Sequence, residues 1–357
     1  MNQDLIKKFG EGAFITGDQL CDTMNPMVHV SPKIDLILGG GIPGGSVVTL
    51  TGDPKCGKTV TSLHIGMKGQ LVGRPFYYLN VEGRLKPRDI DGIKGLDKSK
   101  MTIVRSHRND DDTSRILTAE EFLTAAEDII HSVPHAIVVI DSVSQLLASG
   151  EFTKDIGEKS RAPGATLLAQ FTRKLSNVIP VNDIILVGII HFIANTSGFG
   201  KSKVPSGGNK IKYACDIGLE CKKFTFIREG GSSESNDSDD TSVKKAIGQK
   251  VTWVTTSTAF APPGQVCDSI IKYGIGIDEI TELVQLAGEF GFIAKAGAWF
   301  KLNYLADAMS DKYKLPEGKD KGNIPNLQGE AKLVDWLAEN KEEYAALEKA
   351  MQEMLQQ

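Results

Sequence analysis

The chain has 357 residues, and its 41 basic against 45 acidic side chains leave a net charge of −4. It carries no global positive field, and any polyanion must bind at a local site. Hydrophobic residues at 41% and charged residues at 24% exclude a wholly disordered, collagenous or disulfide-scaffold chain. The length suits one large domain with an appendage. No apolar run approaches the roughly 20 residues of a membrane helix. The first residues (Asp4, Lys7, Lys8, Glu11) lack the apolar stretch of a secretory signal. Five cysteines (Cys21, Cys56, Cys215, Cys221, Cys267) form no CxxC pair and no zinc-ligand spacing, so they read as reduced, cytosolic and structurally incidental.

From Val47 to Cys221, short β-branched or aromatic runs alternate with helical patterns, as in consecutive βα units of a largely parallel sheet. The runs are Val47 to Thr51, Phe76 to Glu82, Ile137 to Asp141 and Ile184 to Ile190. Val60, Leu63, Met67 and Leu71 predict a helix between the first two. Leu167, Leu168, Phe171, Leu175 and Val178 predict one before the last. After Lys210, Cys215, Ile217, Leu219 and Cys221 alternate with polar or small residues, predicting a strand with one buried face; Lys250 to Thr256 is a second candidate. Between them, Glu229 to Asp240 has five acids and no apolar residue, and reads as a solvated loop or an acidic regulatory element. Asp278 to Leu302 and Gln328 to Leu355 make a small C-terminal module around a loop or arm at Asp307 to Asn326.

Gly52-Asp53-Pro54-Lys55-Cys56-Gly57-Lys58-Thr59 matches G-x-x-x-x-G-K-[ST] directly after a predicted strand and before a predicted helix. Glycines let successive N–H groups and the helix N-terminus face an anion. Lys58 then reaches the β- and γ-phosphates of a nucleotide, and Thr59 offers its hydroxyl to Mg²⁺. Asp141 closes the apolar run Ala136 to Ile140, the Walker-B position for a carboxylate that holds Mg²⁺; read alone, it equally suits a helix cap. Glu82 ends the second run, where a carboxylate can orient and deprotonate an attacking water or simply sit in a surface loop. His191 ends the fourth run, placed to sense a phosphate oxygen or to be satisfied by nearby backbone. Ile193 to Tyr213 then carries Lys201, Lys203, Lys210 and Lys212, no acid, and Phe199. Lysines neutralise phosphates and a phenyl ring stacks on bases, so this is a candidate DNA loop as well as a flexible solvated one.

The order of these pieces resembles the RecA-type DNA strand-exchange recombinases of bacteria and their phages. The similar stretches include Lys7 to Gly12, Val30 to Gly45, Ile140 to Val143, Arg173 to Leu175, Ser206 to Asn209, Lys272 to Ile277 and Ala296 to Phe300. The Gly-Gly-Asn ending of the basic loop and the Ala-Gly-Ala-Trp element are the most specific. The resemblance implies an α/β fold: an N-terminal polymerisation segment at 1–28, a mostly parallel P-loop ATPase core at 29–260 and a small α/β domain at 261–357. It further implies ATP and Mg²⁺ as cofactors, hydrolysis to ADP, and a helical homo-oligomeric filament on single-stranded DNA that pairs with homologous double-stranded DNA, in a bacterial or phage-infected cytoplasm. Single-strand-binding and loading proteins are expected partners, and a phage source is expected.

By matched position Glu82 is the catalytic glutamate, and His191 takes the place of a glutamine coupling the γ-phosphate to DNA. The resemblance implies Glu151 to Gly164 and Ile193 to Gly208 as the two DNA loops. The resemblance places Arg173, Gly207 and Gly208 on DNA, and Phe199, Lys201, Lys203 and Asn209 join them. Three departures stand out: His191 for the glutamine, a shorter N-terminal helix, and Thr255 to Phe260 where bacterial RecA has paired lysines that reach a neighbour's ATP. Either Lys244, Lys245 or Lys250 supplies the cation instead, or activation between subunits is weak. The rival readings are a ring-shaped DNA motor on the same core and a recombination mediator.

Overall fold

The structure is a computed structural model and describes residues 3–22, 26–152, 154–155, 163–195, 203–205, 215–229, 233–234, 245–316 and 322–355. Nine strands make the main path of the large sheet. In chain order they are β1 (Ser46–Gly52), β2 (Phe76–Asn80), β3 (Met101–Val104), β4 (Ile137–Asp141), β5 (Ile185–Ala194), β6 (Ile217–Arg228), β7 (Ala246–Ser257), β8 (Val266–Lys272) and β9 (Gly276–Ile277). They lie side by side as β9-β8-β7-β6-β1-β5-β4-β2-β3. The half from β6 to β3 is parallel, and β7, β8 and β9 continue it antiparallel.

The apolar runs are continuous because both sheet faces are covered. On one face α1 (Lys58–Leu71) packs Leu63, Ile65 and Met67 against Val48, Leu50, Phe76, Tyr78, Ile137 and Val139. On the other, α2 (Ala119–Ser132) and α3 (Pro163–Leu175) cover Val47, Val138, Ile140, Leu186 and Ile190. Thr118 caps α2 by accepting from the Glu121 amide, while Glu121 accepts from the Thr118 amide. Gly66 in α1 lies close against the sheet: a Cβ there would lie 2.3 Å from the Phe76 ring.

The predicted strands and helices appear with shifted ends. Leu71, expected on the buried face of α1, is 69% exposed, because it occupies the last helical position, beyond the sheet. Cys215 precedes β6 rather than joining it, and Val178 begins a separate turn, Val178–Val181, after α3 has ended. The large sheet runs on through Ile277, past the expected boundary at residue 260, since β8 pairs along β7 from Gly248↔Lys272 to Val254↔Val266.

A third hydrophobic cluster begins at Leu283. It joins α4 (Glu279–Glu289), α5 (Glu330–Glu339) and α6 (Lys341–Leu355) to a three-stranded sheet of Ala294–Ala296, Trp299–Lys301 and Asn326–Gln328. Glu282 fastens this unit to the core: fully buried, it accepts hydrogen bonds from Ser269 Oγ (2.6 Å), the Ile270 amide (3.0 Å) and the Lys33 amide (3.3 Å). At the other end, helices Gln3–Phe9 and Gly17–Asp22 leave Leu5, Phe9 and Leu20 exposed, and Ile15 between them is exposed too. Among the described residues, no helix is long and apolar enough to cross a membrane.

Candidate nucleotide site and its neighbours

Strand register delivers the site residues to one edge. Gly52 pairs with His191 across β1 and β5, and Asn80 pairs with Asp141 across β2 and β4, so all four stand at the carboxyl ends of adjacent parallel strands. Ligands bind at this edge of α/β sheets. Side-chain alternation then sends Ile137, Val139 and Asp141 toward the face that α1 covers.

The phosphate loop bends sharply into α1. Lys55 and Gly57 take left-handed φ values of 64° and 92°, a backbone form that gathers amides into an anion-binding concavity. Lys58 is buried, and its ammonium donates to the carbonyls of Gly52 (2.9 Å) and Asp53 (2.7 Å), across the mouth of the loop. Cys56 is also buried and not incidental: its contact with the Cys221 thiol, together with nearby Lys58, draws its pKa down to about 7 against the effect of burial. All five cysteines are free.

Thr59 Oγ1 donates to Asp141 Oδ2 at 2.9 Å, and the Tyr78 hydroxyl donates to the same oxygen at 2.5 Å. Burial pushes the Asp141 carboxyl above the usual range, while first Tyr78 and then Thr59 draw it back. Glu82 lies in the turn after β2, its amide bonded to the Asp141 carbonyl. Its carboxylate meets His191 Nε2 at 3.3 Å on one oxygen and Arg84 at 2.9 Å on the other. The His191 amide donates to Ser144 Oγ at 2.9 Å. One ligand atom each from Glu82, Asp141 and His191 lies within 4.8 Å of the others.

These groups fit a nucleotide with Mg²⁺. A hydroxyl and a carboxylate side by side are the hard oxygen donors that Mg²⁺ takes, and Lys58 lies beside the loop that cradles phosphates. Next to Asp141, the buried Ser142 hydroxyl has no hydrogen-bond partner among the described residues, leaving a polar atom available at the site.

Of the expected site residues, the structure brings together Lys58, Thr59, Asp141, Glu82 and His191. Lys203 pairs with β5 through Ala194 and donates to both carboxylate oxygens of Asp53, at 2.7 and 2.8 Å. Arg173 is exposed near the end of α3. Phe199, Lys201, Gly207, Gly208 and Asn209 lie outside the described residues, as do Lys244, most of the acidic segment Glu229 to Asp240, and parts of both candidate DNA loops. Lys250 is engaged by Asp268 at 2.7 Å. Tyr78, Arg84 and Ser144 were not expected. Tyr78 shares its face of β2 with Phe76, two residues away, so strand alternation was the signal that could have placed it.

A phosphate-loop motif with an aspartate hydrogen-bonded to its threonine, at the carboxyl edge of a mostly parallel sheet, is the arrangement of a P-loop nucleotide-binding protein. The RecA N-terminal domain family matches residues 2–278. Similar proteins include Protein RecA of Aquifex aeolicus, 27% identical over 96% of this chain and 91% of the relative. Protein RecA of Lactobacillus delbrueckii subsp. bulgaricus is 30% identical, over 82% of each chain. That of Ruminococcus albus is 27% identical over 88% of this chain and 72% of its own. The chain belongs to the RecA family and is a RecA-family recombination protein.

Proposed function

We propose that the chain is a DNA-dependent ATPase that assembles as a helical filament on single-stranded DNA and promotes homologous pairing and strand exchange. The observation that carries this is the meeting of Glu82 and His191 at 3.3 Å beside the Thr59–Asp141 pair. A site that only held a nucleotide would not need a carboxylate in position to activate water.

In this reading the loop amides and Lys58 bind the phosphates, and Thr59 and Asp141 hold Mg²⁺, which would neutralise charge on the β- and γ-oxygens. Glu82 takes the proton of the water that attacks the γ-phosphorus. His191, near the end of β5, links the γ-phosphate position to the basic segment that follows the strand, so phosphate occupancy orders that segment on DNA. Lys203, with Phe199, Lys201, Gly207, Gly208, Asn209 and Arg173, contacts DNA. The exposed Leu5, Phe9, Ile15 and Leu20 of the N-terminal segment join one protomer to the next, because apolar side chains left in water gain from burial on a second copy. The setting is a bacterial or phage-infected cytoplasm, with single-strand-binding and loading proteins as partners.

Electron microscopy with single-stranded DNA and a slowly hydrolysed ATP analogue tests the proposal. Long helical filaments, with ATP turnover stimulated by single strands, are expected. Closed hexamers would replace it with a ring-shaped motor.

A further inference from the structure

We infer that Tyr78 is a positioning residue for the Mg²⁺-holding carboxylate of Asp141, fixing its Oδ2 so that Oδ1 faces the cation. The inference rests on the proposed reading of the site as one for ATP and Mg²⁺. Tyr78 is fully buried on β2, two residue pairs along the strand from Asn80↔Asp141 and on the same face. Its ring packs edge-on against Phe76, with centroids 6.4 Å apart, inside the cluster under α1. A phenylalanine would fill that space equally well, so the core does not require the hydroxyl. What the hydroxyl adds is a hydrogen bond to Asp141 Oδ2.

That bond matters because of how the carboxylate is arranged. Asp141 is buried, and Oδ2 already accepts from both Thr59 and Tyr78. Two donors on one oxygen stop the carboxylate from rotating about its terminal bond. Thr59 belongs to the phosphate loop and also owes its hydroxyl oxygen to the cation in this reading. Tyr78 belongs to the sheet and owes nothing to the cation, and its hydroxyl is itself held by Ser62 and Thr59, so it is the fixed donor. Outer-shell partners of metal ligands act in this way, and their loss costs about 10–100-fold in metal affinity.

The test is Tyr78→Phe, which keeps the ring and removes only the hydroxyl. Mn²⁺ is the probe, its binding followed by electron paramagnetic resonance in the presence of a non-hydrolysable ATP analogue. Wild-type protein should bind the ion, and Tyr78→Phe should bind it about 10-fold more weakly. At saturating metal the variant should recover wild-type nucleotide affinity, and its metal-free unfolding temperature should stay close to wild type. Unchanged Mn²⁺ affinity in a wild type that binds the ion overturns the role of Tyr78 alone. So does a collapse of the metal-free unfolding temperature, which would assign the hydroxyl to the core. Failure of the wild type itself to bind Mn²⁺ with the analogue overturns the reading of the site together with this inference.

Discussion

The Lys203 ammonium lies 2.7 and 2.8 Å from the two carboxylate oxygens of Asp53, tying the strand after His191 to the phosphate loop. Both side chains are about half exposed, so the pair is worth at most about 1 kcal/mol. While it persists, Lys203 is occupied at the nucleotide site. Asp53→Asn removes the competing anion and is expected to raise the affinity of nucleotide-free protein for a single-stranded oligonucleotide by about 2–5-fold. The salt dependence should steepen by about one phosphate contact. Fluorescence anisotropy across a salt series measures both, and identical curves for the variant and wild type would show that Lys203 does not reach DNA.

Glu82→Gln keeps the shape of the side chain and removes its basicity. Hydrolysis is expected to fall by about 10²-fold or more, whereas binding of a fluorescent ATP analogue should stay within a few-fold of wild type, because Lys58 and the loop amides remain. Phosphate release with saturating single-stranded DNA gives the first quantity and a titration the second. Equal losses in both would show that Glu82 serves the fold of the edge rather than the water.

Periodicity pointed to this edge because a largely apolar run precedes each of its polar residues. Asp141, Glu82 and His191 follow Ile140, Val81 and Ile190; register pairs Asp141 with Asn80 and His191 with Gly52, and the turn after β2 brings Glu82 back onto the Asp141 carbonyl. The pairing of Lys203 with Asp53 had no such signal, since it depends on how a loop folds back over a distance of 150 residues. Tyr78 was hidden for a different reason: in an aromatic run its ring explains its presence, and only the partner across the sheet gives the hydroxyl a purpose. Antiparallel β8 and β9 lie past the boundary at residue 260 that the resemblance implies, because short strands do not name their neighbours in a sheet.

Gly66→Ala tests the close packing of α1 on the sheet. Alanine improves helix propensity by about 1 kcal/mol, but its Cβ would sit 2.3 to 2.5 Å from three Phe76 ring atoms. Overpacking of this kind costs about 1–3 kcal/mol, so the net effect is destabilising. Gly288→Ala in α4 is the control, since a Cβ there meets nothing within 4 Å and should stabilise by about 0.5–1 kcal/mol. Urea unfolding midpoints should move in opposite directions; a more stable Gly66→Ala protein would mean that α1 has room to shift.

Glu282 provides a pH-dependent test of the junction between the core and the C-terminal unit. Burial raises its pKa above the ordinary glutamate value, against hydrogen bonds led by Ser269. A carboxyl raised in the folded state contributes stability that is fully present below its unfolded pKa and is lost as pH rises through the folded value. Glu282→Gln cannot ionise and escapes that loss. Asp35, likewise raised by burial, and Glu279, lowered chiefly through its bond to His64 despite burial, remain in both proteins, so their effects largely cancel in the difference. The variant is expected to gain on wild type steadily as unfolding is measured from pH 4 to pH 8. A difference that stays flat over that range would mean that Glu282 ionises as readily in the folded protein as in the unfolded chain.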